Sequence, residues 1–209
     1  MAAQIWDQPR EIDRRLAQYF NSTRDQWIEI VKAMVGGRGG CTANNSKAAP
    51  GFYAWDNGIY RMRYIFRKEG WINGCEAGVE TIVNQELKKQ VTVMNADEGT
   101  GDKSRSPRNR TPKGAANEKL ADLNDQFEMF KRHEIIKPPS DHLPIWYLCT
   151  YDNGSTVRAE LSRPTKFISS HFVKFDERIF IIQGDEWEKI ALTPPADAGP
   201  EFEIDVRRK

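Results

Sequence analysis

The sequence has few of the residues from which metal sites and disulfide frameworks are built. Three cysteines and three histidines occur in 209 residues. Cys41, Cys75 and Cys149 are far apart and odd in number, which indicates reduced thiols rather than a disulfide framework. No two of them have the spacing of zinc ligands, and the histidines do not recur at the four-residue step of a helical metal pair. We therefore predict no metal site built from cysteine or histidine.

Long apolar runs and a strong excess of one charge are also missing. No stretch approaches the roughly 20 apolar residues that a membrane span needs, and the opening MAAQIWDQPREIDRR does not resemble a signal peptide. The 31 basic and 30 acidic residues give a net charge of +1, which argues against a uniformly basic coat for nucleic acid. We expect a cytoplasmic protein with no membrane segment, in which any electrostatic function depends on local segregation of charge.

The composition that remains is typical of a globular domain. With 39% hydrophobic and 29% charged residues, a chain of this length can build a core without cross-links. We predict a single domain over residues 1–195, followed by a tail or an edge strand over 196–209. The edge strand is expected at 202–206.

Helical periodicity dominates the first two thirds of the chain, about 9–137. Apolar residues recur at three- and four-residue steps over 9–35, which predicts one or two helices ended by the glycine-rich segment GGRGGC at 36–41. A polar loop is expected at 42–51. Further helices are predicted over 55–69, with Asp56 as N-cap and Gly70 as the stop, and over 76–88 and 115–131. The β-branched segment VTVMN at 91–95 predicts a strand.

The last third, about 143–193, has strand character. Runs at 145–151 and 156–162 flank Asp152-Asn153-Gly154, a strong hairpin signal, and further strands are predicted at 172–175, 178–183 and 187–192. Arg158 and Glu160 alternate with apolar neighbours, which is typical of a sheet with one wet face. Helices first and an antiparallel sheet second predict an α+β fold, with the N-terminal helices packed on a C-terminal antiparallel sheet.

The segment DEGTGDKSRSPRNRTPKG, residues 97–114, contains a run of cations without an acid. The cations are Lys103, Arg105, Arg108, Arg110 and Lys113. Arginine forks suit phosphate oxygens, and the two prolines reduce the entropy lost on binding. We predict that the run, with Arg38 of the glycine-rich segment and the 61–67 helix face, binds a phosphate-bearing partner, and nucleic acid is the leading choice. A solvated connector is the competing interpretation, and the loop has no aromatic residue for stacking on single strands.

Two alternative functions stay open. In the first, the chain is a protein-interaction module, an inhibitor or adaptor that presents the basic loop to an acidic partner. In the second, it is a metal-dependent phosphodiesterase or nuclease, in which Asp97 and Glu98 hold Mg²⁺ at the end of a strand. Glu86 enters this second hypothesis because Glu86-Leu87-Lys88 matches an acid-x-Lys nuclease pattern, although that pattern needs a strand. No cofactor is expected otherwise.

Overall fold

A computed structural model describes residues 3–76, 78–133 and 143–192. The helices are α1 (Pro9–Phe20), α2 (Arg24–Gly39), α3 (Ala49–Phe66), α4 (Ala115–His133) and α5 (Glu186–Leu192). The strands are β1 (Gln4–Trp6), β2 (Ile72–Glu76), β3 (Val79–Asn84), β4 (Lys89–Asn95), β5 (Ile145–Asp152), β6 (Val157–Ile168) and β7 (His171–Ile182). The edge strand predicted at 202–206 and the tail lie outside the described residues.

All seven strands form one open sheet in the order β1-β7-β6-β5-β4-β3-β2. β4 runs parallel to β5, and the short β1 runs parallel to β7, whereas the other neighbours are antiparallel. A parallel pair needs a long crossover, and the segment 96–114 together with α4 supplies it between β4 and β5. The predicted α+β class with N-terminal helices packed on the sheet is confirmed, and three strands of that sheet come from residues 72–95.

Local chemistry explains the first two helices. Pro9 occupies the first turn of α1, and Asn21 ends that helix in the left-handed conformation. Thr23 begins α2 with a capping box, in which its hydroxyl accepts from the Gln26 amide and its own amide donates to the Gln26 side chain at 2.8 Å. The two helices predicted over 9–35 are confirmed.

α2 ends at Gly39, inside the glycine-rich segment 36–41, so the predicted end of the helix is confirmed. Arg38 lies in the last turn of α2, and Gly37 lies close to α3: a Cβ at this position would lie 2.6 Å from the carbonyl oxygen of Tyr53. Arg38 therefore projects from a helix rather than from a loop. α3 also begins at Ala49, which leaves Asp56 inside the helix, so the predicted N-cap is wrong. Gly70 does follow the helical segment with a φ of 79°.

Two segments were assigned the wrong secondary structure, one as a helix instead of a strand and one as a strand instead of a helix. The helix expected at 76–88 is instead the end of β2, strand β3 and a turn, since Thr81, Ile82 and Val83 are β-branched and pair with neighbouring strands. The strand expected at 187–192 is α5, in which Trp187 and Ile190 reach the core from one helical face. The strands predicted at 172–175 and 178–183 form one continuous strand, β7.

The first face of the sheet, covered by α1, α2 and α3, has an apolar core. Its centre is aromatic: the Phe20 ring lies 5.1 Å from Trp146 and 5.8 Å from Trp27, in edge-to-face contact. Ile12 and Leu16 of α1 are fully buried against it. Each such side chain contributes about 1.5–3 kcal/mol through burial.

The second face of the sheet was predicted to be exposed to solvent. It is instead covered by α4, the 97–113 loop and the tip of the β6–β7 hairpin. Glu160 is fully buried there, so the expectation that it faces water is wrong. Tyr147, Phe172 and Phe175 pack beneath α4 in a second apolar cluster. Register shifts run along the hairpin between Ala159 and Phe167, and such bulges bend strands. Among the described residues, no helix is long and apolar enough to cross a membrane.

Candidate functional site

The basic loop leaves the end of β4 and returns beside it. The Asp97 amide donates to the Arg108 carbonyl at 2.9 Å, and the Arg110 amide donates to the Asn95 carbonyl at 3.1 Å. Ala96 and Asn109 form an antiparallel bridge between these two bonds. The loop is therefore a hydrogen-bonded excursion with a defined path.

A buried ion pair holds the first half of the loop. Arg178 of β7 and Glu160 of β6 are joined by bonds of 2.8 Å and 2.6 Å, with both side chains almost completely buried. Glu160 also accepts from the Gly101 amide at 2.7 Å. The other guanidinium hydrogens of Arg178 bind the loop carbonyls of Gly99, Asp102 and Arg105. This pair was not predicted from the sequence; its local signal is a charged residue next to apolar neighbours in each strand, Glu160 in β6 and Arg178 in β7.

The first two cations of the loop have carboxylate partners at the surface. Lys103 pairs with Asp7, whose carboxyl pKa is lowered mainly by that hydrogen bond. Arg105 pairs with Glu98 at 2.9 Å, and both side chains are more than half exposed. Exposed pairs of this kind are weak and screened by salt.

The next two cations point outward because the residue between them points inward. Asn109 is buried and accepts from the Phe172 amide at 3.0 Å, while its own amide donates to the carbonyls of Thr111 and Ser170. Side chains alternate along extended backbone, so Arg108 and Arg110 lie on the opposite, exposed side. Within the described parts of the chain, Arg108 has no ion-pair partner.

Arg110 meets Arg38 at the carboxyl ends of the parallel strands β4 and β5. Arg110 donates to the Asp152 carbonyl at 3.2 Å, and the Arg38 guanidinium lies 3.3 Å from the Asp152 carboxylate. Arg38 also donates to the side chain of Asn95 at 3.2 Å. Burial lowers the pKa of Arg38, Asp152 raises it and the charge of Arg110 lowers it. We call Arg38, Arg110 and the exposed Arg108, two residues before Arg110 on the loop, the arginine cluster. Among the described residues, Asp152 is the carboxylate that pairs with it, through Arg38.

A row of exposed tyrosines begins next to this cluster. The Asn95 amide donates to the Gly51 carbonyl at 2.8 Å, which ties the first turn of α3 to the residue that Arg38 contacts. Tyr53, Tyr60 and Tyr64 follow on one face of α3, and we call them the tyrosine row. Tyr60 is 66% exposed. The row spans about 16 Å at 1.5 Å per residue.

The far end of the tyrosine row is flanked by cations. The Tyr60 and Tyr64 rings are stacked with centroids 6.4 Å apart, and Arg61 lies 4.8 Å from the Tyr64 centroid. Lys68 lies 5.5 Å from the same ring. The 61–67 helix face was expected to assist phosphate binding. In the structure, Arg61 pairs with Glu29, and Arg63 points away from the tyrosine row and pairs with Glu80 at 2.5 Å. The row was not predicted, although its spacing of seven and then four residues is the spacing of one helical face.

Lys113 takes a different direction from the other loop cations. It is partly buried and lines a cavity of about 120 Å³ between β3, β4 and the start of α4. The five cations thus divide into an ion-paired set, an outward set that Arg38 joins, and one inward lysine.

The proposed nuclease acids are not gathered at one point. Asp97 accepts from the amides of Gly99 and Arg108, and Glu98 pairs with Arg105. Glu86 lies in the β3–β4 turn, at the other end of β4 from Asp97, and the strand between them is about 23 Å long at 3.3 Å per residue. In the described residues, no three His, Cys, Asp or Glu side chains are grouped to hold a metal ion.

Comparisons with known protein families, with curated proteins and with solved structures find no match to this chain.

Proposed function

We propose that this protein binds nucleic acid, and single strands in particular, with phosphates on the arginine cluster and bases on the tyrosine row. The observation that carries the proposal is the convergence of Arg38, on a helix, with Arg110, on the distant loop. Both guanidinium groups contact Asp152, Arg38 through its carboxylate and Arg110 through its backbone carbonyl, so the two arginines and this one acid together carry a net positive charge. That charge lies at the carboxyl ends of parallel strands, where ligands of α/β sheets commonly bind.

The arginine cluster has the chemistry to bind phosphates. Guanidinium forks donate paired hydrogen bonds to phosphate oxygens, and the Asn95 and Asp152 contacts hold Arg38 in place before a ligand arrives. Arg108 is exposed and carries no competing carboxylate within the described residues. Preorganised cations lose less side-chain entropy on binding.

The tyrosine row supports single strands over duplex. Aromatic side chains stack on unpaired bases of any sequence, at about 1–3 kcal/mol per base. The loop itself has no aromatic residue, and the exposed rings of Tyr53, Tyr60 and Tyr64 supply a stacking surface on the neighbouring helix. The row starts at Tyr53, two residues after the Gly51 that contacts Asn95, so a strand held at the cluster can continue onto it.

The test is the binding of a fluorescently labelled single-stranded oligonucleotide, followed by anisotropy over a range of salt concentrations. We expect the triple variant Arg38→Ala, Arg108→Ala, Arg110→Ala to bind at least about tenfold more weakly. Its salt slope should fall by about 0.7 for each phosphate that the variant no longer neutralises. Tyr60→Ala should weaken binding by about 1–3 kcal/mol and leave the salt slope unchanged.

The matched control is the double variant Lys103→Ala, Arg105→Ala, which removes charge from the same loop. These residues are paired with Asp7 and Glu98, so the control should retain nearly all binding. If wild type binds no oligonucleotide, or if the control loses as much affinity as the triple variant, the proposal is wrong.

A protein partner with an acidic face is the second candidate. Tyrosine, phenylalanine and arginine are enriched in protein interfaces, and Phe52 adds a further exposed ring beside the tyrosine row. A stoichiometric protein that co-purifies with the chain after nuclease treatment, and is lost in Tyr60→Ala, would favour this function over the first.

A further inference from the structure

A cavity opens where β3 and β4 separate. The two strands are paired only from Ile82–Val91 to Asn84–Lys89, and beyond these pairs a gap widens between them. Trp55 of α3 and Tyr147 of β5 line the gap together with Thr92, and its volume is about 120 Å³. Gly78 at its rim is exposed, so the cavity is reached from solvent.

The polar groups of the cavity are mostly hydrogen-bond donors. The ammonium group of Lys113 has no hydrogen-bond or ion-pair partner in the described residues. Asn117 accepts from the Tyr147 hydroxyl at 2.9 Å through its oxygen, which orients its NH₂ group away from that bond as a second donor. Thr92 already donates its hydroxyl hydrogen to the Glu80 carbonyl.

Among the described residues that line the cavity, the one carboxylate, Glu80, is already paired. Glu80 accepts from Arg63 at 2.5 Å, and this hydrogen bond lowers the pKa of the Glu80 carboxyl. Lys113 is therefore a partly buried cation without a counter-ion among the described residues, and such a group is costly unless an anion accompanies it. Burial lowers the pKa of Lys113 accordingly.

We propose that this cavity is a binding site for a phosphate-class oxyanion, held between the Lys113 ammonium and the Asn117 amide. The same chemistry is offered by free phosphate and by a phosphate at the end of a nucleic-acid strand. The second source rests on the function proposed above. Lys113 is three residues from Arg110, so a strand held at the arginine cluster could place its terminal group here.

The first experiment uses inorganic phosphate alone and does not depend on nucleic-acid binding. Calorimetric titration and thermal unfolding of wild type should both detect phosphate binding. Lys113→Met should weaken it at least about tenfold, because charge-assisted hydrogen bonds are lost. Lys103→Met, an exposed lysine of the same loop, is the matched control and should bind phosphate as wild type does.

The stability of Lys113→Met without phosphate distinguishes a phosphate-binding role of Lys113 from a role in holding the fold together. Lys113→Met removes an unpaired, partly buried charge, so it should be at least as stable as wild type in phosphate-free buffer. Asn117→Asp, which replaces a donor by a negative charge, should also abolish phosphate binding. It serves as the test if Lys113→Met fails to fold.

The second experiment identifies the source of the phosphate. Oligonucleotides with and without a 5′-phosphate are compared, and then oligonucleotides with and without a 3′-phosphate. A preference of about tenfold for a phosphorylated end, lost in Lys113→Met, assigns the strand terminus. Phosphate binding without such a preference assigns the free anion, even if the arginine cluster proposal fails. The inference is overturned if wild type binds neither phosphate nor phosphorylated ends, or if Lys113→Met binds them unchanged.

Discussion

The two faces of the sheet are built from different kinds of interaction. The first face is covered by helices α1–α3 through aromatic and aliphatic contacts, with Trp27, Trp146 and Phe20 at the centre. The second face is covered partly by a polar loop, which the buried Arg178–Glu160 pair holds through directional hydrogen bonds. Apolar burial stabilises without fixing direction, whereas hydrogen bonds fix one path. Both faces thus contribute stability, and the directional contacts of the second face also position the charged loop.

The largest expected effect comes from breaking the buried pair. Arg178→Met should destabilise the protein by about 3–5 kcal/mol in urea unfolding, because it leaves Glu160 charged, buried and unpaired. It should also free the loop, so trypsin should cut at Lys103, Arg105, Arg108 and Arg110 under native conditions.

Leu16→Ala on the first face is the control. It should cost a similar amount, about 2–5 kcal/mol, because packing around the side chain is removed, and it should leave the loop bonds resistant to trypsin. Equal loop cleavage in both variants would contradict the division of roles between the faces. The double variant Arg178→Met, Glu160→Met should be more stable than Arg178→Met alone.

An intermediate effect is expected from Asn109, the inward residue of the loop. Asn109→Ala removes the bonds to the Phe172 amide and to the Thr111 and Ser170 carbonyls, of which the Ser170 carbonyl still accepts from the Lys113 amide. The loss should cost about 1–3 kcal/mol in urea unfolding. It should also weaken oligonucleotide binding, since Arg108 and Arg110 lose their fixed direction. Asn44→Ala, in the exposed loop before α3, should change neither quantity. Unchanged binding by Asn109→Ala would show that the loop path is not needed for it.

The smallest effect is expected at the surface pair of Lys103 and Asp7. The folded pKa of Asp7 is lowered, so the pair stabilises above the unfolded carboxyl pKa of about 3.9 and loses this contribution as pH falls through the folded value. Lys103 is 63% exposed, so screening keeps the contribution below about 1 kcal/mol. The stability difference between Lys103→Ala and wild type in urea unfolding should disappear once the pH falls below the lowered folded pKa of Asp7, and also in high salt. A persistent difference under those conditions would point to a packing role for the lysine stem.

Features governed by local pattern were predictable from the sequence. The apolar steps at Ile12, Leu16 and Phe20 predicted α1, and Asn153-Gly154 predicted the β5–β6 hairpin. The strand at 91–95 and the helix at 115–131 also follow from local periodicity and are confirmed. These elements carry their own signal, because the residues that decide them are neighbours along the chain.

Features that depend on distant segments were not predictable. Glu160 has the pattern of a surface position in its strand, yet it is buried against Arg178 and against Gly101, which lies 59 residues earlier in the chain. Local sequence predicts binding by Arg38 from its charge within the glycine-rich segment and by Lys113 from its place in the run of cations. The sequence could not indicate that Arg38 joins Arg110, or that separation of β3 and β4 opens a cavity for Lys113.

The missing side chain at Gly37 has a consequence for ligand selectivity. Any larger residue there would collide with the Tyr53 carbonyl and the Asn57 amide, so α2 and α3 would have to move apart. Arg38 is the next residue on α2, and Tyr53 is the first ring of the tyrosine row, so this close approach fixes the distance between guanidinium and aromatic ring. A ligand that contacts both the Arg38 guanidinium and the Tyr53 ring must be long enough to span the distance between them. A Gly37→Ala substitution should therefore increase the distance between Arg38 and Tyr53 and change the length of ligand that contacts both. It should leave the binding of a single anion by the arginines unchanged.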